Sequence, residues 1–304
     1  MSLLLQITLF LAACLILVPL LKRLGIATVL GYLFTGIVLG PSVLNIAHEP
    51  EDIMELAEFG VIFLMFIIGL ELRPQRLWDM RQSIFVMGSL QVVITGIVLM
   101  ALVFFVLSQS IGASLVIGFA LALSSTAFAL QLLSEKQQLN TSFGQQSFSI
   151  LLFQDIAAIP LIAIIPLLAG TTSPHHGIAY FAAVIATFTG LFLFSRYIMR
   201  PFFRFVAQSG AHELITAVGL CIVLAVVLLM DSLGISTTLG AFLTGVLLAD
   251  SEFRHELEAS IAPFKGLLLG LFFMTVGMTT PIALIVEQPW LIIGGALILL
   301  IVKT

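Results

Sequence analysis

Two stretches of the chain read almost alike: LGIATVLGYLFTGIVLGPS from Leu24 to Ser42, and LGISTTLGAFLTGVLLADS from Leu233 to Ser251. Ten of nineteen positions are identical, including Gly25/Gly234, Thr28/Thr237, Gly31/Gly240, Thr35/Thr244 and Gly36/Gly245, at an offset of 209 residues (233 minus 24). Both copies lie in apolar segments long enough to cross a bilayer. The register continues into the next segments, where FLMFIIGL (Phe63 to Leu70) answers LFFMTVGM (Leu271 to Met278). Such a chain must fold as two related halves. With 60% hydrophobic and only 9% charged residues among 304, those halves are bundles of membrane spans and not soluble domains.

Length and punctuation divide the chain into about eleven spans: 3 to 21, 27 to 45, 55 to 72, 84 to 107, 112 to 133, 147 to 169, 178 to 198, 213 to 230, 234 to 249, 261 to 279, and 290 onward. The repeated copies are the second and ninth, and the third and tenth. A separation of seven spans is odd, so each copy faces the opposite way across the membrane. Inverted repeats of this kind mark secondary transporters, whose site lies at the midplane. Lys22, Arg23, Arg73, Arg76, Arg81, Lys136, Arg196, Arg200, Arg204, Arg254 and Lys265 all fall in loops after odd-numbered spans. The positive-inside rule makes that side the cytoplasm, and the N-terminus, the acidic loop His48 to Glu58 and the His175-His176 loop then face outward. No positive residue precedes the first apolar run and Lys22-Arg23 follow it, which reads as a retained first span and not a cleavable signal peptide. Partners for the fifth and sixth spans would fall near residues 321 to 378. A first repeat of about 1–170 and a second from about 213 therefore predict about thirteen spans in an intact protein. Cys14 and Cys221 sit within apolar segments, buried in lipid or between helices, and read as small packing residues.

Few ionisable groups enter the membrane interior, and Asp155, in SFSILLFQDIAAIPLIAIIPLL, is the clearest. Eight residues beyond Ser147, at ~1.5 Å each, it lies ~12 Å deep in a hydrocarbon core of ~30 Å. A carboxylate there is functional by default; a structural carboxylate bonded to a neighbouring helix is the alternative. Pro160 has no N–H to offer the carbonyl of Ile156, which frees a cation ligand beside Asp155 or merely bends the helix. Gln154 supplies an amide oxygen without titrating, so the site holds one exchangeable charge; a simple helix contact is the other reading. Ser124-Ser125-Thr126 put three hydroxyls into an apolar run, consistent with a broken transporter helix or with helix packing. Lys303, ~20 Å inward from Trp290, matches Asp155 in depth and could pair with it when no cation is bound, or snorkel to the interface. The Gly31/Gly36/Gly40 and Gly266/Gly270 patterns are surfaces for close helix approach. Glu71, Glu213 and Asp231 lie at span ends, solvated at the interface. The stretch ADSEFRHELEASIAPFKG, Ala249 to Gly266, reads as a charged cytoplasmic loop, solvated or docking another domain.

GYLFTGIVLGPS, FLMFIIGLEL, ALSSTAFALQLL, LLFQDIAAIP, the HELE segment and PFKGLLLGLFFMTVGM together resemble the Kef-type glutathione-gated potassium efflux systems of Gram-negative bacteria, within the monovalent cation:proton antiporters. The resemblance spans essentially the whole chain; FQD, where electrogenic sodium/proton antiporters carry paired aspartates, is its most diagnostic part. It implies an all-α polytopic inverted-repeat antiporter fold with broken crossing helices, in the bacterial inner membrane, with the N-terminus periplasmic. It implies that Asp155 binds potassium and protons in turn, that Gln154 is its neutral neighbour, that Ser125 and Thr126 form the broken crossing, and that Lys303 is the pairing lysine. It further implies a homodimer and a cytoplasmic nucleotide-binding domain that senses glutathione and its adducts and touches His255, Glu256 and Glu258. No G-x-G-x-x-G follows a strand in this chain, so that domain is expected to lie outside it, and no cofactor is expected within it. The expected mechanism is alternating access, with proton and potassium competing for one carboxylate. A ligand-gated potassium channel without proton coupling and a sodium/proton antiporter are the alternatives. An intramembrane aspartyl protease would need a second mid-membrane aspartate, so neither an enzyme nor a nucleic-acid-binding protein is expected.

Overall fold

In lipid a backbone has no hydrogen-bond partner but itself. Each described element is accordingly a helix. The computed structural model describes residues 3–41, 43–45, 50–72, 74–168 and 212–303, with isolated positions between 186 and 206. Most of the expected span at 178–198, and the His175-His176 loop, His48, Arg73, Arg196, Arg200 and Arg204, lie outside the described residues. In chain order the helices are α1 (Leu3–Arg23), α2 (Thr28–Leu39), α3 (Pro50–Glu71), α4 (Pro74–Asp79), a π-helical turn (Ser83–Met87) running into α5 (Gly88–Val106), α6 (Ile111–Ala122), α7 (Thr126–Glu135), α8 (Ser142–Leu168), α9 (His212–Ser232), α10 (Thr237–Leu248), α11 (Arg254–Met278), α12 (Ile282–Glu287) and α13 (Pro289–Lys303).

The repeat extends further in structure than in sequence. The bounds of α1 and α2 map onto those of α9 and α10 with the same 209-residue shift at all four ends, and α4 maps onto α12 with a shift of 208. Gly25 (φ +84°) and Gly234 (φ +66°) make the equivalent turns between paired helices, in a backbone region that a side chain would strain. Thr35 donates from Oγ1 to the carbonyl of Gly31 at 2.8 Å, and Thr244 to that of Gly240 at 2.8 Å, so both fully buried hydroxyls are satisfied within their own helices.

The copies differ at their first turn. In α10 the Ser236 hydroxyl accepts from the Leu239 N–H at 3.2 Å, whereas Ala27, its counterpart before α2, has no capping atom. Instead Glu135, ending α7, accepts from the Thr28 N–H through Oε2 at 3.1 Å. A carboxylate there satisfies an orphan donor and complements the helix dipole. Glu135→Ala should lower stability by ~1 kcal/mol, and adding Ala27→Ser should restore most of it; thermal unfolding in detergent measures both.

The chain forms two compact units: Met1–Leu64 with Thr126–Gly144 and Pro263–Thr304, and Met65–Ser125 with Gln145–Ala262. In the first, α2 lies on α11 so closely that a Cβ on Gly36 would strike the Met274 carbonyl, and one on Gly277 the Leu33 carbonyl. Phe10, Leu39, Met274 and Met278 form a buried cluster there. In the second, a Cβ on Gly245 of α10 would strike the Phe66 carbonyl of α3, and one on Gly69 the Phe242 carbonyl. These contacts are repeat equivalents, since 36 and 33 map to 245 and 242 by 209, and 66 and 69 to 274 and 277 by 208. Each half thus seats its short helix on the long helix of the other half, the backbone-to-backbone approach that small residues permit in membranes.

Several expectations need correction. Helices α2 and α10 have 12 residues each, ~18 Å, which is less than the expected spans 27–45 and 234–249 and less than a hydrocarbon core. The Gly40 N–H closes on the Gly36 carbonyl at 2.8 Å, and Pro41 has no N–H to extend the ladder. The expected charged loop from Ala249 to Gly266 is helical from Arg254 onward, carrying His255, Glu256, Glu258 and Lys265 into α11. Leu257 and Ile261, four residues apart on one face, are both fully buried, and their burial holds this segment as helix despite its charges. A Cβ on Gly266 would meet nothing within 4 Å, so Gly266 is not a packing glycine, whereas Gly31 and Gly270 pack on Val18 and Tyr32. Cys14 packs between helices beside the Met274 cluster, with Sγ donating to the Met274 sulfur at 3.4 Å, and Cys221 is on the outer surface of α9, as a lipid-facing residue would be. The expected eleventh span, 290 onward, is α13, which follows the short α12 and buries none of its residues.

Candidate functional site

The fifth expected span is interrupted where its hydroxyls lie. Helix α6 stops at Ala122 and α7 starts at Thr126, and Leu123 between them is extended (φ −69°, ψ 154°). Ser124 and Ser125 can bond their own backbone outside a helix, which lowers the penalty for leaving it. The break strands polar backbone that lipid cannot satisfy. Two glutamines from neighbouring helices meet it. The Ser124 N–H donates to Gln154 Oε1 on α8 at 2.7 Å, Gln154 Nε2 donates to Gln91 Oε1 on α5 at 2.7 Å, and Gln91 Nε2 donates to the Ala122 carbonyl at 3.3 Å and to Thr95 Oγ1 at 3.3 Å. Gln154 is 3% exposed and Thr95 is 7%, while Gln91 is half-buried and Ser124 exposed.

Small residues let the three helices close around this ladder. A Cβ on Gly118 of α6 would run into the Met100 backbone of α5, and one on Gly88 into the Phe153 side chain of α8. Phe148 of α8 meets Phe242 of α10 with ring centroids 5.4 Å apart. Asp155 follows Gln154 directly. It is the central residue of the 27-residue α8, half-buried, with Oδ2 closed off from solvent. The helix runs on unbroken through Pro160. Helices α5, α6, α8 and α10 and the π-helical turn carry Asp155 as their one titratable side chain.

Of the residues expected at a site, the structure joins Gln154 to the helix break directly, next to the exposed Ser125. Thr126 opens α7, and Lys303, exposed, ends α13; both belong to the first compact unit and Asp155 to the second. Glu71, expected at a span end, is the last residue of α3, and Asp231 lies in the last turn of α9. Glu213 is in the first turn of α9. In α11, His255 Nδ1 lies 3.8 Å from Glu258 Oε2, an exposed pair worth little in stability, and Glu256 has a buried Oε1. Gln91 is the residue that sequence reasoning missed. Its signal was a lone amide in the apolar run GSLQVVITG, four residues before Thr95.

A half-buried carboxylate next to the glutamine that clamps a helix break offers hard oxygen chemistry suited to an alkali cation or a proton. The family model described as sodium/hydrogen exchanger, transmembrane, matches residues 9–304. An electron-microscopy structure of the sodium proton antiporter MjNhaP1 from Methanocaldococcus jannaschii superposes with a TM-score of 0.68 at 18% identity, covering 91% of this chain and 70% of that one. A structure of the same antiporter at pH 8 gives 0.62 at 17%, covering 94% and 72%. Both similarities concern the fold. With the family model matching nearly its whole length, the chain belongs to the sodium/hydrogen exchanger family of multi-pass membrane proteins.

Proposed function

We propose that the protein exchanges a monovalent cation for a proton across the membrane, with Asp155 as the group that holds each in turn. The observation that carries this reading is the placement of Asp155: central in α8, partly shielded, and the one titratable side chain on α5, α6, α8, α10 and the π-helical turn. A single carboxylate that must release its proton to take up a cation gives one-for-one exchange, and Gln154 beside it adds no charge. Family membership supports cation/proton antiport at this level. Alternating access around the break would present Asp155 to each side in turn.

The resemblance of FQD and its neighbouring motifs to the Kef-type systems favours potassium as the cation, with efflux from the cytoplasm of a bacterium. Lys303 would then pair with Asp155 in the cation-free state, Ser125 and Thr126 would supply ligands at the crossing, and His255, Glu256 and Glu258 would meet a cytoplasmic nucleotide-binding domain that senses glutathione adducts. A homodimer in the inner membrane with its N-terminus periplasmic completes that reading. Sodium is the second candidate cation, supported by membership of the sodium/hydrogen exchanger family and by the likeness to the sodium proton antiporter MjNhaP1. Proton flux in proteoliposomes of the intact protein separates the two. Potassium-dependent alkalinisation that rises on adding a glutathione adduct is expected; equal or greater flux with sodium would replace potassium by sodium, and cation flux with no proton movement would end the exchanger reading.

A further inference from the structure

The two glutamines are more than space-filling polar groups, because the backbone dictates which way each amide points. At one end of the ladder stands an N–H, that of Ser124, which only an oxygen can meet; at the other stands a carbonyl, that of Ala122, which only a donor can meet. Gln154 must therefore turn its oxygen to Ser124 and its NH₂ to Gln91. Gln91 in turn receives that NH₂ on its oxygen and sends its own NH₂ to Ala122. Both amides act as donor and acceptor at once, a pairing that neither a carboxylate nor an aliphatic side chain reproduces. The two backbone groups they join flank Leu123, the residue at which α6 leaves the helix.

We propose that Gln91 is a positioning residue: with Gln154 it forms an amide relay that bridges the Ala122 carbonyl to the Ser124 N–H and holds the helix break open beside Asp155. The role presupposes that Asp155 is the exchanging carboxylate, and it adds a residue that binds neither ion. Its polarity gives it a distinctive chemical signature. A protonated glutamic acid has one O–H donor and one carbonyl acceptor and can replace Gln91 in the relay, whereas the glutamate anion presents only acceptors and faces the Ala122 carbonyl with negative charge. Leucine has the size but neither function. Gln91 bonds to groups on α6, α8 and its own α5, and on these helices and the π-helical turn leading into α5 Asp155 is the one titratable side chain.

The test compares full-length wild type, Gln91→Leu and Gln91→Glu in proteoliposomes across pH, with backbone hydrogen–deuterium exchange over residues 121–130 as a readout independent of transport. Gln91→Leu should lose about tenfold or more in exchange rate at every pH and speed amide exchange around Ser124 by about tenfold, the factor expected for one lost buried hydrogen bond. Gln91→Glu should match Gln91→Leu at alkaline pH and regain wild-type rate reversibly on acidification of the same vesicles, which excludes misfolding as the cause of the loss. Wild-type rates and unchanged amide exchange in Gln91→Leu would overturn the relay, and so would a Gln91→Glu pH profile parallel to that of Gln91→Leu. A wild type that moves no protons would instead remove the exchanger reading while leaving the amide-exchange result to judge the relay.

Discussion

Asp155→Asn is expected to lower cation-dependent proton flux by at least about a hundredfold while leaving the protein folded. The substitution keeps shape and hydrogen-bonding capacity but removes the ability to bind and release a proton at any accessible pH. On α5, α6, α8, α10 and the π-helical turn no other side chain can titrate and assume the role. A pH-sensitive dye in proteoliposomes reads the loss directly, and an unchanged thermal unfolding profile shows that folding is not its cause. Wild type should also show simple competition: once pH is below the pKa of the shared carboxyl, the apparent KM for the cation should rise about tenfold for each unit fall in pH, the slope for one shared site. A steeper dependence would require a second titrating group, and undiminished flux in Asp155→Asn would take Asp155 out of the mechanism.

Gly36→Ala and Gly245→Ala should each destabilise the fold strongly and to a similar degree. In both, the new methyl group meets the backbone carbonyl of a facing helix, at Met274 or at Phe66, and a carbonyl cannot rotate aside as a side-chain end can. Overpacking of a close contact costs about 1–3 kcal/mol, and more where backbone must move. Gly266→Ala makes the matched control. With open space around it and a helical backbone, it should be neutral or gain up to ~1 kcal/mol from helix propensity. Unfolding midpoints of the three purified variants in detergent decide the matter; a silent Gly36→Ala would mean that α2 and α11 do not approach as closely as described.

The duplication was legible because it is written in glycine and threonine, residues that mark backbone needs: Gly25 and Gly234 at tight turns, Thr35 and Thr244 bonding back onto their own helices. Which helix each copy would meet was not legible. A glycine seen in sequence announces a close approach but carries no mark of its partner, so the crossing of Gly36 to Met274 and of Gly245 to Phe66 emerges only in three dimensions. The hydroxyls of Ser124 to Thr126 announced the break. Gln91 did not announce its part in holding it, because a single amide 33 residues away (124 minus 91) offers no pattern to read. The charged stretch after Ala249 misled for a different reason: counting charges hides the spacing of Leu257 and Ile261, which decides that the segment is helical. The length of α2 was overestimated because apolar composition counts residues, whereas the helix ends where the Gly40-Pro41 pair ends its hydrogen bonding.

The crossed seating of the short helices sets a timetable for biogenesis. Helix α2 leaves the ribosome about 240 residues before Met274 exists to receive Gly36 (274 minus 36), which at ~5–20 residues per second is a wait of roughly 12–48 s. Throughout that interval the nascent first half holds a bare glycine face in the bilayer. Closure of the bundle is therefore a late, post-insertion event, and translation halted ahead of Met274 would strand a chain that quality-control proteases can recognise.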